Sequence, residues 1–471
     1  MIWLSLYIGS VVGAFLTMIV LTAMRNEQRH SIGRIGWMGL TLLSPPLAIV
    51  LFYFLAGKRI SAEHDRREPI DFPDKSDAKS KEGESIELES ATNRFTEVLR
   101  QRGLPQATRF NRIELIETPE DHLQRYLELF DSAEETLYVM SFVFDSGRSI
   151  DRLFDKMCEK AESGVQVRLL IDGFGSFFCR DEYLDRLRDA GGKAATFKPF
   201  TKLSRLAYFN FRDHRKIAVV DGQRAIVGGA NLIGYEITDD PDEDTWHDLS
   251  LYVEGPAVID IQSIFCSDWN FVTEEDLPPA KVEDPDDTLV KENCAVVGVL
   301  PVGPDAPTEV LDDFWLFTIA NARERLWIQT PYFVPPPAIM RLLEAACRRD
   351  VDLRIMVPDE SDLSIADHAR SDYLEDLQEH GASIGRFQPG MIHAKVGIVD
   401  NDVAVVGSTN FDLRSFFLNY EASLVLQDPC TIGKISDWYD RQWERCALGV
   451  PERGWWRRAM GTAARLFATE L

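Results

Sequence analysis

The 471-residue chain has only 51 lysines and arginines against 76 aspartates and glutamates, a formal charge of −25. This shortage of positive charge excludes a general electrostatic attraction to nucleic acid, or to an anionic membrane, for the molecule as a whole. Contact with anionic lipid would have to come from local basic segments or apolar insertion. Cysteine is sparse and unpatterned: Cys158, Cys179, Cys266, Cys294, Cys347, Cys430 and Cys446. The number is odd, the spacing is wide and no Cys-x-x-Cys occurs, which argues against a disulfide framework and a zinc site. The seven read as reduced thiols in a reducing compartment. From Ser61 to about Ser90 the chain is charged, Ser-rich and nearly without aromatics. Such a segment cannot bury enough apolar surface to offset the entropy of ordering, so residues 60–105 are expected to be a polar, flexible tether.

Long apolar runs are confined to the N-terminus. Ile2 to Met24 carries no charge, and Ile35 to Ala56 is apolar again, interrupted by Pro45 and Pro46. Each is long enough to cross roughly 30 Å of hydrocarbon as a helix. No basic n-region or small-x-small cleavage site precedes Arg25, which disfavours a signal peptide. Residues 1–59 are therefore expected to be a membrane anchor of two transmembrane helices. Arg25, Arg29 and Arg34 lie in the loop, and Lys58, Arg59, Arg66 and Arg67 follow the second run. The balance of positive charge places the body on the cytoplasmic side.

The remainder repeats itself. In residues 106–275, helix-like and strand-like stretches alternate from Glu120 to Val272; in residues 293–450 the same order recurs from Glu309 to Cys446. Apolar strands alternating with amphipathic helices indicate layered α/β units. Two units in matching order imply a duplicated domain with a pseudo-twofold axis. Residues 276–292, acidic and Pro-containing, read as a connector.

One motif occurs once per unit. His214-Arg215-Lys216 leads through an apolar run to Asp221 and then Gly228-Gly229-Ala230-Asn231; His393-Ala394-Lys395 leads to Asp400 and then Gly407-Ser408-Thr409-Asn410. In each copy Asn follows His by 17 residues. In an extended strand residues i and i+2 share a face, so His and Lys project together. The glycines allow a tight bend that brings Asn beside them. Two facing sets would place two His, two Lys and two Asn around one pocket. That suits a phosphodiester: ammonium and amide groups stabilise charge developing on its oxygens without metal. One imidazole can attack phosphorus while the other protonates the leaving alkoxide. The sequence does not order the two. Asp248 and Glu421, each before a strand-like segment, are candidate acceptors to orient the histidines. Asp221 and Asp400 complete the motif, but their place at strand ends points to local capping. His30, His64, His122 and His380 read as surface residues, and His247 and His368 as possible pocket liners. A metal is disfavoured, because lysine repels it and no third clustered ligand is evident.

These motifs resemble the signature of the phospholipase D superfamily. With Thr330-Pro331-Tyr332-Phe333-Val334-Pro335, Asn410 to Glu421 and the N-terminal hairpin, the chain is similar to bacterial cardiolipin synthases of that type. The resemblance implies two pseudo-symmetric phospholipase D-like α/β/α units sharing one active site, preceded by a transmembrane hairpin. It implies an inner-membrane phosphatidyltransferase that joins two phosphatidylglycerols into cardiolipin and releases glycerol, with a covalent phosphatidyl-histidine intermediate and no cofactor. The catalytic set would be His214, Lys216, Asp221, His393, Lys395 and Asp400. His214 would be the nucleophile and His393 the acid/base, with Asn231 and Asn410 on the phosphate. Each orienting acid would serve the opposite half: Glu421 to His214 and Asp248 to His393. Hydrolysis of phospholipid, or of nucleic acid, remains an alternative use of the same residues. Membrane lipids, not nucleic acid, are the expected partners; oligomeric state is unreadable. Lys198, Lys202, Arg205, Leu206, Tyr208, Phe209 and Phe211 are expected to face lipid, and the acidic run Asp239–Asp244 to face away. The tail, residues 451–471 with Trp455-Trp456-Arg457-Arg458, reads as an amphipathic interfacial helix or a helix packed on the body.

Overall fold

Short Val/Ile/Leu-rich runs, bounded by glycine and acidic turns, build the centre of the protein. The computed structural model describes residues 67–73, 99–179, 181–199, 211–277 and 295–451, with Tyr7, Gly9, Val11 and Val12. The expected transmembrane hairpin, most of the connector and nearly all of the tail lie outside the described residues. Among the described residues no helix is long and apolar enough to cross a membrane.

The first half contributes β1 (Thr108–Ile116), β2 (Thr136–Ser141), β3 (Gln166–Asp172), β4 (Lys193–Phe197), β5 (Ile217–Val220), β6 (Arg224–Gly228) and β7 (Ser250–Glu254). The second contributes β8 (Ala295–Val302), β9 (Arg325–Gln329), β10 (Phe333–Val334), β11 (Asp352–Pro358), β12 (Ser383–Phe387), β13 (Val396–Val399), β14 (Val403–Gly407), β15 (Phe411–Asp412), β16 (Glu421–Leu426) and β17 (Cys446–Leu448). Fifteen of these form one sheet, in the order β17-β12-β11-β9-β13-β14-β16-β8-β1-β7-β6-β5-β2-β3-β4. Outward from the antiparallel β1–β8 pair at its centre, the two halves repeat one order. Within each, three strands run parallel (β2, β3 and β4; β9, β11 and β12) and the inner ones antiparallel, and β17 adds an antiparallel edge to the second half. β1 and β8 were not expected from the sequence. They close the seam between the halves and make the sheet continuous.

Both faces of the sheet are covered, as apolar strands buried on two sides require. In β2, Leu137 and Val139 point toward α1 (Pro119–Asp131), α2 (Arg148–Glu162) and α3 (Asp181–Asp189). Tyr138 and Met140 point the other way, to Phe265 and Trp269 of α4 (Ala257–Thr273). In the second half α5 (Val310–Asn321), α6 (Pro337–Cys347), α7 (Ser364–Glu379) and the short α8 (Leu413–Phe417) cover one face, and Ile432, Ile435 and Trp438 of α9 (Pro429–Trp443) the other. α4 and α9 share one core across the seam. Helix starts follow local chemistry: Thr118 and Asp428 accept backbone N–H groups at the starts of α1 and α9, each with proline in the first turn.

The tether reading fails for residues 67–73. Arg67 enters the body and pairs with Asp268 at 2.5 Å and Asp305 at 2.7 Å, its side chain 2% exposed. Ile70 donates its N–H to the Asp305 carbonyl and joins the shared core. Charge density makes this stretch look unfolded, but two buried carboxylates supply the partners that a charged residue needs inside.

Candidate active site

β5 and β13 occupy equivalent positions in the two halves, and each is preceded by its His-x-Lys. The approach to each strand is hooked onto the other half. His214 donates its N–H to the Tyr420 carbonyl, and Tyr420 donates to that of Arg212, both at 2.9 Å. Correspondingly, His393 donates to the His247 carbonyl at 2.6 Å, and His247 to that of Met391 at 2.8 Å. These two short parallel bridges set Glu421 beside His214 and Asp248 beside His393. His214 Nδ1 lies 2.9 Å from Glu421 Oε2, and His393 Nδ1 lies 2.8 Å from Asp248 Oδ2. A carboxylate on Nδ1 fixes the tautomer and leaves Nε2 for chemistry. Neither Nε2 meets a hydrogen-bond partner among the described residues.

Each lysine turns its ammonium back to the carbonyl of the histidine two residues earlier, Lys216 to His214 at 2.6 Å and Lys395 to His393. Histidines, lysines and acids are all buried. Burial pushes His214 down to about 4, with Glu421 opposing and Lys216 and Lys395 adding to the fall. Burial and Lys395 also press His393 down, but Glu236 and Asp248 outweigh them and hold it above its ordinary value. Burial takes Lys216 to about 7 against the pull of Glu421, and it lowers Lys395 as well. The site therefore holds one imidazole disposed to be neutral and one disposed to be charged.

Asn231 and Asn410 occupy matched turns. Asn231 gives its side-chain amide to Glu236 Oε1 at 2.9 Å and its backbone N–H to Oε2 at 2.7 Å, while its Oδ1 accepts from Val143. Asn410 gives its backbone N–H to Ser415 Oγ at 3.1 Å, and its Oδ1 is buried without a partner among the described residues. Glu236, Asp248 and His393 carry ligating atoms within 4.8 Å of one another. However, Nδ1 of His393 is engaged with Asp248, and Lys395 adds positive charge there. That set suits a protonated imidazole better than a metal ion.

A family profile described as "Cardiolipin synthase, PLD-like domain" matches residues 126–260 and 316–445, more than half of the chain. The chain belongs to this family. It is 34% identical over 317 residues to the cardiolipin synthase of Alkalihalophilus pseudofirmus, covering 67% of this chain and 63% of that one. It is 33% identical over 342 residues to cardiolipin synthase A of Pseudomonas aeruginosa, covering 73% and 69%. The fold resembles that of the phosphatidylserine synthase of Haemophilus influenzae Rd KW20, with a TM-score of 0.61 at 15% identity over 81% of this chain and all of that one.

Within this phospholipase D-like site, the two motif aspartates do the local capping that their strand-end places pointed to, and their inclusion in the catalytic set is corrected: they do not join the catalytic groups. Asp221 accepts the N–H groups of Glu134, Glu135 and Thr136 at 2.7–2.9 Å. Asp400 accepts those of Arg323, Glu324 and Arg325. Both sit past the far ends of β5 and β13, with positive φ, and close the start of β2 and β9. His122 is also corrected, from surface to core: its Nε2 meets Ser250 Oγ at 3.0 Å and its Nδ1 the Thr118 carbonyl at 2.8 Å. His247 lends its backbone and lays its ring against Phe387. His368 turns to the Ser364 carbonyl. Lys198 and Phe211 do not face lipid. They are buried, with the ammonium 5.1 Å from the Phe211 ring and 5.5 Å from that of Tyr420. Lys202, Arg205, Leu206, Tyr208 and Phe209 lie outside the described residues. The run Asp239–Asp244 forms an exposed arch between Glu236 and Asp248, with Asp239 paired to Arg152.

Sequence reasoning missed three groups. Ser408 donates to Glu421 Oε2 at 2.6 Å and Ser415 to its Oε1 at 2.8 Å, so the acid on His214 is itself held. Arg215, fully buried beside His214, joins Asp268 and Asp305 and donates to the Glu421 carbonyl. Glu236 stands 3.7 Å from His393 Nδ1. Gly229, in place of the serine of the second half, has a steric reason. A Cβ there would come within 2.3 Å of Asp248 Oδ1, whereas the longer Glu421 leaves room for Ser408.

Proposed function

We propose that this chain transfers a phosphatidyl group from one phosphatidylglycerol to a hydroxyl of another, forming cardiolipin and releasing glycerol. The observation that carries it is the crossed pair of carboxylate-held imidazoles, each beside a lysine, on two halves that are hooked together. In the first step neutral His214 attacks phosphorus through Nε2. The bond from phosphorus to the glycerol oxygen breaks, and His393 gives that oxygen the proton on its Nε2. In the second step a hydroxyl of the acceptor lipid attacks phosphorus, His393 takes its proton, and the phosphorus–nitrogen bond to His214 breaks. Lys216, Lys395, Asn231 and Asn410 hold the non-bridging oxygens as charge develops. No metal or organic cofactor is needed in either step. The stretches 2–24 and 35–56 hold the body at the bacterial inner membrane, with the catalytic side toward the cytoplasm.

The test is the lipid product of purified full-length protein in phosphatidylglycerol vesicles, beside His214→Ala and His393→Ala. Cardiolipin and glycerol from the wild type alone support transfer. Phosphatidic acid alone would replace transfer with hydrolysis, and no lipid product would overturn the substrate.

A further inference from the structure

The two halves place different chemistry at one matched position. Five residues after the motif asparagine, the first half has Glu236 and the second has Ser415. Both accept the backbone N–H of that asparagine, at 2.7 and 3.1 Å. They therefore do the same structural work in their turns. Their other atoms differ in effect. Ser415 is neutral and donates its hydroxyl hydrogen to Glu421, the acid that holds His214. Glu236 is a carboxylate that points toward His393, 3.7 Å from the Nδ1 already bound by Asp248.

The charged groups around each imidazole can be counted. His393 faces Asp248 from the segment before β7, Glu236 from the turn after β6, and Lys395 from its own strand; the Trp246 ring lies 5.0 Å away. His214 faces one acid, Glu421 from β16, with Lys216 and Lys395 nearby, and the Phe142 ring lies 4.9 Å away. The Ser408 carbonyl also lies 3.2 Å from its Nδ1. Apart from Glu236 each imidazole faces one acid, while His214 has a second lysine beside it, so the second carboxylate on His393 widens a difference in charge between the two sides.

We propose that Glu236 is a positioning residue that breaks the pseudo-twofold symmetry of the site, assigning the resting proton to His393 and leaving His214 as the imidazole that attacks. This rests on the phosphatidyl-histidine reading given above. Without Glu236 only the second lysine beside His214 would separate the two imidazoles, and both would be drawn into competition for one proton. The directions in which burial and neighbours move the two histidines agree with this order.

The experiment compares wild type, Glu236→Gln and Glu236→Asp in phosphatidylglycerol vesicles, with folding checked by thermal melting. Gln keeps one of the two acceptor oxygens that Asn231 uses and removes the charge; Asp keeps the charge. The basic limb of kcat/KM against pH reports loss of the His393 proton. A nearby charge is worth about 1–3 pH units, so Glu236→Gln should move this limb down by about one, and Glu236→Asp should leave it near the wild-type position. Phosphate-labelled donor lipid, quenched during turnover, should mark His214 alone in the wild type and both histidines in Glu236→Gln. An unmoved limb with a uniform fall in rate would overturn the proposal and leave Glu236 as a brace for Asn231. Label on His393 in the wild type would overturn it too. Label on neither histidine would sink the covalent reading instead, while the limb would still decide the role of Glu236.

Discussion

Asp268 offers a sharp test of how the protein is held together around its site. It lies on α4 and spans two arginines that come from distant parts of the chain. Arg67 reaches its Oδ1 at 2.5 Å and Arg215 its Oδ2 at 2.6 Å. Asp305 shares the same two partners at 2.7 and 2.8 Å. The Asp268, Asp305 and Arg215 side chains are 0% exposed, so water cannot take over a lost contact. Asp268→Asn keeps the volume and one acceptor but leaves two guanidiniums facing one carboxylate. Breaking a buried pair in this way costs about 3–5 kcal/mol. Against a total stability of roughly 5–15 kcal/mol, that brings the body close to unfolding. The assay is urea unfolding of the detergent-solubilised full chain, followed by tryptophan fluorescence. Arg67→Met combined with Asp268→Asn should cost less than the sum of the single changes, because one removes the charge that the other strands. A loss below about 1 kcal/mol for Asp268→Asn would refute the reasoning, since only an exposed or hydrated pair is worth so little.

Three further outcomes follow from the site. Asp400→Ala removes the acceptor for three N–H groups at the start of β9 and should cost about 2–4 kcal/mol by the penalty for unsatisfied donors, with kcat per folded molecule little changed; a large fall in kcat at unchanged stability would return Asp400 to the chemistry. Ser408→Ala takes a hydrogen bond from the Glu421 carboxylate and should lower kcat about tenfold, and Ser408→Gly, although it copies Gly229, should do no better, as vesicle assays of both will show. His214 is held down to about 4 in the folded protein but titrates near 6.5 when unfolded, so the unfolded state binds the extra proton. Stability should therefore fall as pH drops from about 6.5 toward 4, by up to about 3 kcal/mol, and this slope should be missing in His214→Gln when urea unfolding is compared at both ends.

The chemistry of the site is more legible than its supports. His214, Lys216, His393 and Lys395 announce themselves because period-two spacing and a fixed 17-residue step to asparagine survive in both halves. The succession of most strands along each half follows from apolar runs. β8 was hidden because Gly298 and Pro301 interrupt its apolar run next to an acidic connector, and β1 because its alternation adjoins a polar segment. Arg67 and Arg215 could not be placed, since a buried arginine is recognised only by its partners, here Asp268, 201 and 53 residues away. His122 looked like a solvent-facing residue of an amphipathic helix, and only the approach of β7, bringing Ser250, turns that face inward. Glu236 belongs to no repeated pattern, since its counterpart is Ser415.

That last difference bears on why the site is built from two unlike copies in one chain. A perfect twofold axis gives both histidines the same neighbours, so it cannot decide in advance which one is neutral. A fused duplication keeps the geometry that needs symmetry and lets single positions diverge. The geometry is retained here in matched strands β5 and β13, matched bridges and crossed acids. The divergence sits in side chains at matched positions, where it alters charge or hydrogen bonding. Glu236 faces Ser415 across the relation, Gly229 faces Ser408, and Arg215 faces Ala394. Each of the first two pairs adjusts a carboxylate that holds a histidine, by adding a second acid on one side or by donating hydrogen bonds on the other. The third ties the His214 side alone to Arg67 through two shared aspartates. Together the three departures give the two imidazoles unlike surroundings, which a perfect twofold axis could not do.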